Sequence, residues 1–286
     1  MQLAKVLARE FPLTEHTITP RDCMLYSLGV GVGDRPNVAE DLQFVYEDKP
    51  GGLKVFPAMV NVICHPGPWV KEPELEIEWV KLLHGEQSFT IHRPLEPGRT
   101  YVGAYRVANV IDKGEGKGAM LYLEKTLSDK LTQEKVATVL STYVLRGDGG
   151  CGGTTTEVPA VHPIPDTPPA DSISLTTLPQ SGLIYRLSGD YNPIHASPEI
   201  ARKAGFDRPI LHGLCTMGVA TRAILQALCD DQPERLRSVS LRFSSPVYPG
   251  ETIMTEFWKT ASGVSFRATA TERKVVVLNF GHAQIA

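Results

Sequence analysis

Three stretches in the first half of the chain carry the β-branched and aromatic character of strands: Thr100 to Val107, Ala119 to Glu124 and Val136 to Leu145. The turn Asp112-Lys113-Gly114-Glu115-Gly116 stands between the first two. The second half repeats the layout with Thr252 to Thr260, Val264 to Thr271 and Val275 to Phe280. Short strands bounded by such turns predict antiparallel meanders. A different period runs from about Gly213 to Cys229. There Leu214, Met217, Val219, Ala220, Ile224, Leu225 and Leu228 make a helix apolar around much of its circumference, the mark of a buried helix. A shorter helix is bounded by its own signals: Ser197 to cap it, Pro198 at its first position and Gly205 at its exit.

Between the two sets of strands lies Gly147 to about Ser172. It opens on Gly147-Asp148-Gly149-Gly150-Cys151-Gly152-Gly153, passes through Thr154-Thr155-Thr156, and carries Pro159, Pro163, Pro165, Pro168 and Pro169. Glycines loosen the backbone there and prolines forbid regular helix and central strand, so 147–172 reads as a linker between units 1–146 and 173–286. No Gly-Lys-Ser/Thr follows the glycines, which argues against a P-loop. Nor does Gly29-Val30-Gly31-Val32-Gly33 make a dinucleotide fingerprint, because Asp34 stands where the last glycine would be. The halves echo each other. Leu25-Tyr26-Ser27-Leu28-Gly29 resembles Ile184-Tyr185-Arg186-Leu187-Ser188-Gly189, and Pro94-Leu95-Glu96-Pro97-Gly98-Arg99-Thr100 resembles Pro246-Val247-Tyr248-Pro249-Gly250-Glu251-Thr252. Two similarities in the same order and at nearly equal offsets point to an ancient duplication. A long buried helix followed by a curled antiparallel sheet is a hot-dog layout of the α+β class.

Composition narrows the function. A chain of 286 residues suits two such units, and 42% hydrophobic with 21% charged residues excludes disorder throughout. With 29 basic against 32 acidic residues there is no positive surplus for nucleic acid. Five widely spaced cysteines without C-x-x-C argue against a disulfide framework or zinc ribbon and for a reducing compartment. No uncharged apolar run reaches membrane-spanning length. Charges interrupt the first ten residues too early for a secretory signal, and Ala283-Gln284-Ile285-Ala286 is not a Ser-Lys-Leu address. The expectation is a cytoplasmic protein, with a peroxisomal location kept open for a eukaryotic host.

The segment dense in chemistry is Tyr185-Arg186-Leu187-Ser188-Gly189-Asp190-Tyr191-Asn192-Pro193-Ile194-His195. Asn-Pro favours a turn, and a turn of this length can bring the Asp190 carboxylate and the His195 imidazole towards one point. Around one water they form an acid–base pair. The alternative is a capped turn with Asp190 on backbone amides and His195 merely packed. A second segment, Ala204 to Thr216, places His212-Gly213 at the mouth of the long apolar helix. Unpaired amides at a helix N-terminus attract developing negative charge, and a glycine lets a carbonyl approach closely. Carboxylate, imidazole and amide donor together are what addition of water to an α,β-unsaturated thioester requires. Cys215 falls inside the helix pattern and reads as core. The eight histidines show no H-x-x-x-H pair and no thiolate at ligand spacing, so no metal site is expected.

Tyr185 to Ala201 resembles the hydratase 2 motif of MaoC-like (R)-specific enoyl-CoA hydratases. Gly205 to Thr216 is similar to the family's next segment, and the first half joins through Leu25 to Gly31, Leu83-His84-Gly85-Glu86-Gln87 and Asp112-Lys113-Gly114. The likeness is strongest to the hydratase 2 unit of eukaryotic peroxisomal multifunctional enzymes. It implies a double hot-dog fold, two curled sheets each wrapping a helix, usually as a homodimer. It implies reversible hydration of trans-2-enoyl-CoA to (3R)-3-hydroxyacyl-CoA in fatty-acid metabolism, with no metal or organic cofactor, CoA being part of the substrate. By position, Asp190 and His195 become the catalytic pair, Asn192 helps hold the water, and the Gly213 amide becomes the oxyanion donor. His84, Gly85, Lys113, Tyr191, Pro193, Ile194 and Phe243 become substrate contacts, Lys113 towards CoA. Two rivals share these features: a dehydratase acting on acyl-carrier-protein substrates, and a non-catalytic acyl-thioester-binding module.

Overall fold

A computed structural model describes residues 1–35, 38–154 and 159–286. Its strands are β1 (Thr14–Thr17), β2 (Leu82–Ile91), β3 (Thr100–Asp112), β4 (Ala119–Asp129), β5 (Lys135–Leu145), β6 (Asp171–Thr176), β7 (Leu236–Phe243), β8 (Thr252–Thr260), β9 (Gly263–Ala270) and β10 (Val275–Ile285). Its α-helices are α1 (Leu3–Leu7), α2 (Pro20–Gly29), α3 (Ala39–Val45), α4 (Ser181–Tyr185), α5 (Pro198–Lys203) and α6 (Gly213–Leu228). The strands form one ten-stranded sheet in the order β1-β3-β4-β5-β2-β7-β10-β9-β8-β6. Counted inward from its two edges the order is the same, β1-β3-β4-β5-β2 against β6-β8-β9-β10-β7. That is the repeat the sequence echoes predict. The halves meet where β2 pairs antiparallel with β7, from Glu86 opposite Arg242 to Thr90 opposite Ser238. Arg242 spans this seam, donating to Glu86 Oε1 at 2.9 and 2.6 Å.

The strands expected at 100–107, 119–124, 136–145 and 252–280 are all present, most extended by a few residues. The helix expected over 213–229 is α6, and eleven of its residues from Cys215 to Leu225 are buried, between the second half-sheet on one side and Val30 and the turn Pro57–Asn61 of the first half on the other. Ser197 caps α5 by accepting from the Ile200 amide, with Pro198 first in the helix. The halves differ in what fills them. In the first, the place against β2 and β5 is taken by a single 3-10 turn, Pro57–Asn61, with Pro57 to Val60 buried. The chain there cannot continue as a helix, because Cys64 adopts φ 53° and Pro66-Gly67-Pro68 follows. One apolar core crosses the seam, including Phe56, Met59, Phe89 and Val139 from the first half and Val219, Val239, Phe257 and Phe266 from the second.

The turn Pro57–Asn61 is held from below by a lysine. Lys125 on β4 is 2% exposed, and its ammonium donates to the carbonyls of Val60 (2.7 Å), Asn61 (3.3 Å) and Ile63 (2.9 Å). Burial pushes its pKa down to about 8. Lys125→Met removes a desolvated charge but strands three carbonyls, and the second effect is the larger at about 1–3 kcal/mol for buried groups left unpaired. The expected result is a lower urea midpoint with an unchanged slope. A midpoint equal to that of the unaltered chain would show the turn to be held by packing alone.

Residues 147–154 and 159–170 form neither helix nor strand, and β6 begins at Asp171, just inside the expected linker. Thr155 and Thr156 of that linker lie outside the described residues. The later part is tied to the second half-sheet: Trp258 Nε1 donates to the Thr167 carbonyl (2.7 Å) and the Ala170 amide to that of Phe257 (2.8 Å). Among the described residues no helix is long and apolar enough to cross a membrane.

Candidate active site

The approach to the site is a chain of tight turns. Helix α4 runs into a 3-10 turn, Arg186–Ser188, which Gly189 ends at φ 121°, a conformation that favours glycine. Asp190 follows, and its Oδ1 accepts from the Asn192 amide at 3.1 Å. Asn192 then caps the turn Pro193–His195, its Oδ1 accepting from the Ile194 amide at 3.2 Å. Part of the capped-turn alternative is therefore present: both polar side chains shape the loop. The loop also delivers Asp190 and His195 to one place. One oxygen of Asp190 and one nitrogen each of His195 and His212 lie within 4.8 Å of one another.

Hydrogen bonds assign the protons of both imidazoles. His195 Nδ1 donates to the Ile210 carbonyl at 2.9 Å, which leaves Nε2 as its lone pair. His212 Nε2 donates to the Asp190 backbone carbonyl at 3.1 Å, and its Nδ1 is buried without a partner among the described residues. The two rings stack, with centroids 3.7 Å apart and planes 28° apart. Burial lowers the pKa of His195, against the Ile210 carbonyl and the Asp190 charge, which raise it. Burial, then repulsion from His195, pushes His212 down to about 4. Both rings are thus neutral near pH 7, and His195 is the one with access to solvent.

Helix α6 begins beside them. His212 makes no side-chain cap, and the Gly213 amide has no partner among the described residues. A Cβ at Gly213 would come 3.1 Å from the Phe243 ring, so the glycine is what lets β7 end against the helix mouth. Phe243 in turn meets His84 across the seam, with ring centroids 5.0 Å apart. His84 is half-buried at the start of β2. Burial lowers its pKa, and the Asp190 charge opposes that shift, which places the first half's histidine within electrostatic reach of the second half's carboxylate.

The expected site residues divide accordingly. Asp190, His195, Gly213, Phe243 and His84 come together. Pro193 and Ile194 form the turn itself, and Tyr191 is exposed with the Arg186 guanidinium 5.0 Å from its ring. Gly85 sits at a register shift in β2, where a Cβ would meet Val144 at 2.7 Å, so strand packing by itself demands a glycine there. Lys113 is exposed on the β3–β4 turn, at the same end of the sheet as His84, since Ala119 pairs with Leu145 and Leu145 with Leu82. Cys215 is buried, its thiol pushed far up by burial and turned to the Gly29 carbonyl, in keeping with a core residue. Sequence reasoning placed His212 only at the helix mouth. Its stacking on His195 depends on how two loops meet, which spacing does not reveal.

Comparison with known proteins adds five findings. A model described as MaoC like domain matches residues 160–279, and one described as MFE-2 hydratase 2 N-terminal domain matches residues 16–147. The peroxisomal enoyl-CoA hydratase 2 of Arabidopsis thaliana is 34% identical, covering 96% of this chain and 92% of that protein. The 3-hydroxyacyl-thioester dehydratase Y of Mycobacterium tuberculosis is 41% identical, covering 86% of this chain and 83% of that protein. The crystal structure of a MaoC-like dehydratase from Phytophthora capsici superposes with a TM-score of 0.87 at 34% identity, covering 100% of this chain and 99% of that one.

Proposed function

Because the chain belongs to the MaoC-like hydratase 2 family, we propose that it hydrates trans-2-enoyl-CoA to (3R)-3-hydroxyacyl-CoA and catalyses the reverse dehydration. The observation that carries this reading is the pairing of a neutral His195, its Nε2 lone pair free, with the Asp190 carboxylate beside an unpaired helix amide at Gly213. Asp190 and His195 polarise one water. Its oxygen bonds to Cβ, a proton reaches Cα from the same face, and the pair returns to its starting protonation. As the C=C bond opens, charge moves to the thioester oxygen, where the Gly213 amide receives it; such donors count most because they are in place before charge develops.

The reaction is redox-neutral and moves only water and protons, so it calls for no electron carrier. Asp190, His195 and His212 each present one ligand-type atom close enough to the others to hold an ion, but the proposed steps call for none. Asn192 Oδ1 accepts one bond from the turn, and its amide NH2 makes none among the described residues, so it can donate to the water.

The test is spectrophotometric hydration of a chain-length series of trans-2-enoyl-CoAs, with chiral analysis of the product. Turnover and a (3R) product are expected; a (3S) product, or no turnover of crotonyl-CoA and longer substrates, overturns the reading. A pH profile adds a second check. His195 must be neutral to take a proton, and its pKa lies below the usual value of about 6.5. The acid limb of kcat/KM is therefore expected below pH 6.5, with activity falling as pH drops. An acid limb above that value would exclude His195 as the titrating base.

A further inference from the structure

The half-buried His84 is joined to the protein interior by a chain of hydrogen bonds that runs away from the dyad. Its Nε2 lies 2.8 Å from Gln87 Oε1, and the Ser141 hydroxyl donates to that same oxygen at 2.8 Å. The other end of the Gln87 amide, Nε2, donates to Asn61 Oδ1 at 2.8 Å. Asn61 Nδ2 then donates to the Ala58 carbonyl at 2.9 Å. The far end cannot be reversed, because a backbone carbonyl only accepts. It obliges Asn61 to present its NH2 to Ala58 and its oxygen to Gln87. Gln87, 2% exposed, must in turn give its NH2 to Asn61 and its oxygen to His84. Turning either amide over would set oxygen against oxygen inside the protein. The backbone of Asn61 is itself fixed by the Lys125 ammonium.

We infer that Asn61 and Gln87 are positioning residues that hold His84 as the neutral tautomer with its proton on Nε2, so that it faces the substrate only as an acceptor, through Nδ1. No side chain among the described residues hydrogen-bonds His84 Nδ1; the ring's one further polar neighbour is the backbone of Glu86. The choice of an amide at position 87 matters because of what surrounds the ring. Asp190 lies across the seam from it, Tyr143 on β5 is 5.4 Å away between ring centroids, and the neighbouring Glu86 is committed to Arg242. A carboxylate in place of Gln87 would draw a second proton onto His84. The resulting imidazolium would face the Asp190 carboxylate and compete with His195 for it. An amide supplies the same acceptor oxygen without that charge.

This inference rests on the proposed hydratase site, but its primary test needs no turnover. Histidine-selective 15N labelling of the full chain, with His84 assigned by comparison with His84→Asn, reports which ring nitrogen carries the proton. The expected spectrum has a protonated Nε2 and an unprotonated Nδ1 from pH 7 to 8, without substrate. The opposite tautomer, or a doubly protonated ring at pH 7, overturns the inference whatever the enzyme's activity. In Gln87→Glu, His84 is expected to become doubly protonated at pH 7 and kcat to fall by about tenfold or more, the scale of a mispositioned supporting residue. An unchanged 15N signature in a folded Gln87→Glu variant would also overturn it. Ser141→Ala removes the second donor but leaves the relay intact, so His84 should keep its Nε2 proton; loss of that tautomer would show that Ser141, not the relay, sets it.

Discussion

Asp190→Asn and His195→Gln are each expected to lower kcat by at least about a hundredfold, the range for losing a positioned acid–base group. Asparagine keeps the oxygen that accepts from the Asn192 amide, so the loop should retain its shape. What it loses is the negative charge that favours a proton on the neighbouring imidazole. Glutamine at 195 removes the Nε2 lone pair and the ring that stacks on His212. Neither change strands a deeply buried charge, since Asp190 is exposed and His195 half-buried, so both variants should fold. Circular dichroism and steady-state kinetics together check this. Near-original kcat in either folded variant would remove that residue from the proposed pair.

Residues 160–286 expressed alone are expected to lose the full chain's activity, with kcat/KM down by at least about a hundredfold, although they hold Asp190, His195 and Gly213. A displacement of about 1 Å at a reacting group is enough for a loss of that size. Cutting in the linker exposes the whole β7 edge that pairs with β2, and an open edge of that kind invites aggregation. It also opens the core where Phe89 and Val139 pack with Val239, and it removes His84 from beside Phe243. Light scattering of the fragment and assays on crotonyl-CoA and a longer substrate decide the matter. A soluble fragment with the full chain's kcat/KM would mean that the first half contributes nothing to the site.

The elements legible in the sequence are those whose residues serve only the sheet or the core. β3, β4, β5 and β8 to β10 carry branched and aromatic residues bounded by turns, and α6 is apolar on nearly every side. β2 escaped notice because its first half, Leu82-Leu83-His84-Gly85-Glu86-Gln87-Ser88, is chosen for other tasks. It holds the register shift at Gly85, the seam ion pair and the His84–Gln87 contact, so it lacks alternation until Phe89 and Ile91. β7 is obscured by the gap between buried Leu236 and Val239. Helix α2 did carry a signal, the capping box of Thr19 and Asp22 with Pro20 between them. In the site, Asp190 and His195 were legible because one turn joins them. His212, Gln87 and Asn61 were not, because their partners come from distant parts of the chain and only the folded sheet brings them together.

The seam between β2 and β7 also sets an order of events during synthesis. About 150 residues separate its two strands, so at ~5–20 residues per second β2 leaves the ribosome about 7 to 30 s before its partner exists. Through that interval the first half-sheet has one inner strand with an unsatisfied edge, and His84 and Glu86 stand on it without Phe243 and Arg242. Long-range pairing of this kind is slow to form and leaves the waiting edge open to chaperones or to other nascent chains. Closing the seam joins the two half-sheets and brings His84 to Phe243 in the same step. A newly made chain therefore gains protection of that edge and its two-sided site at one moment, once β7 has left the ribosome.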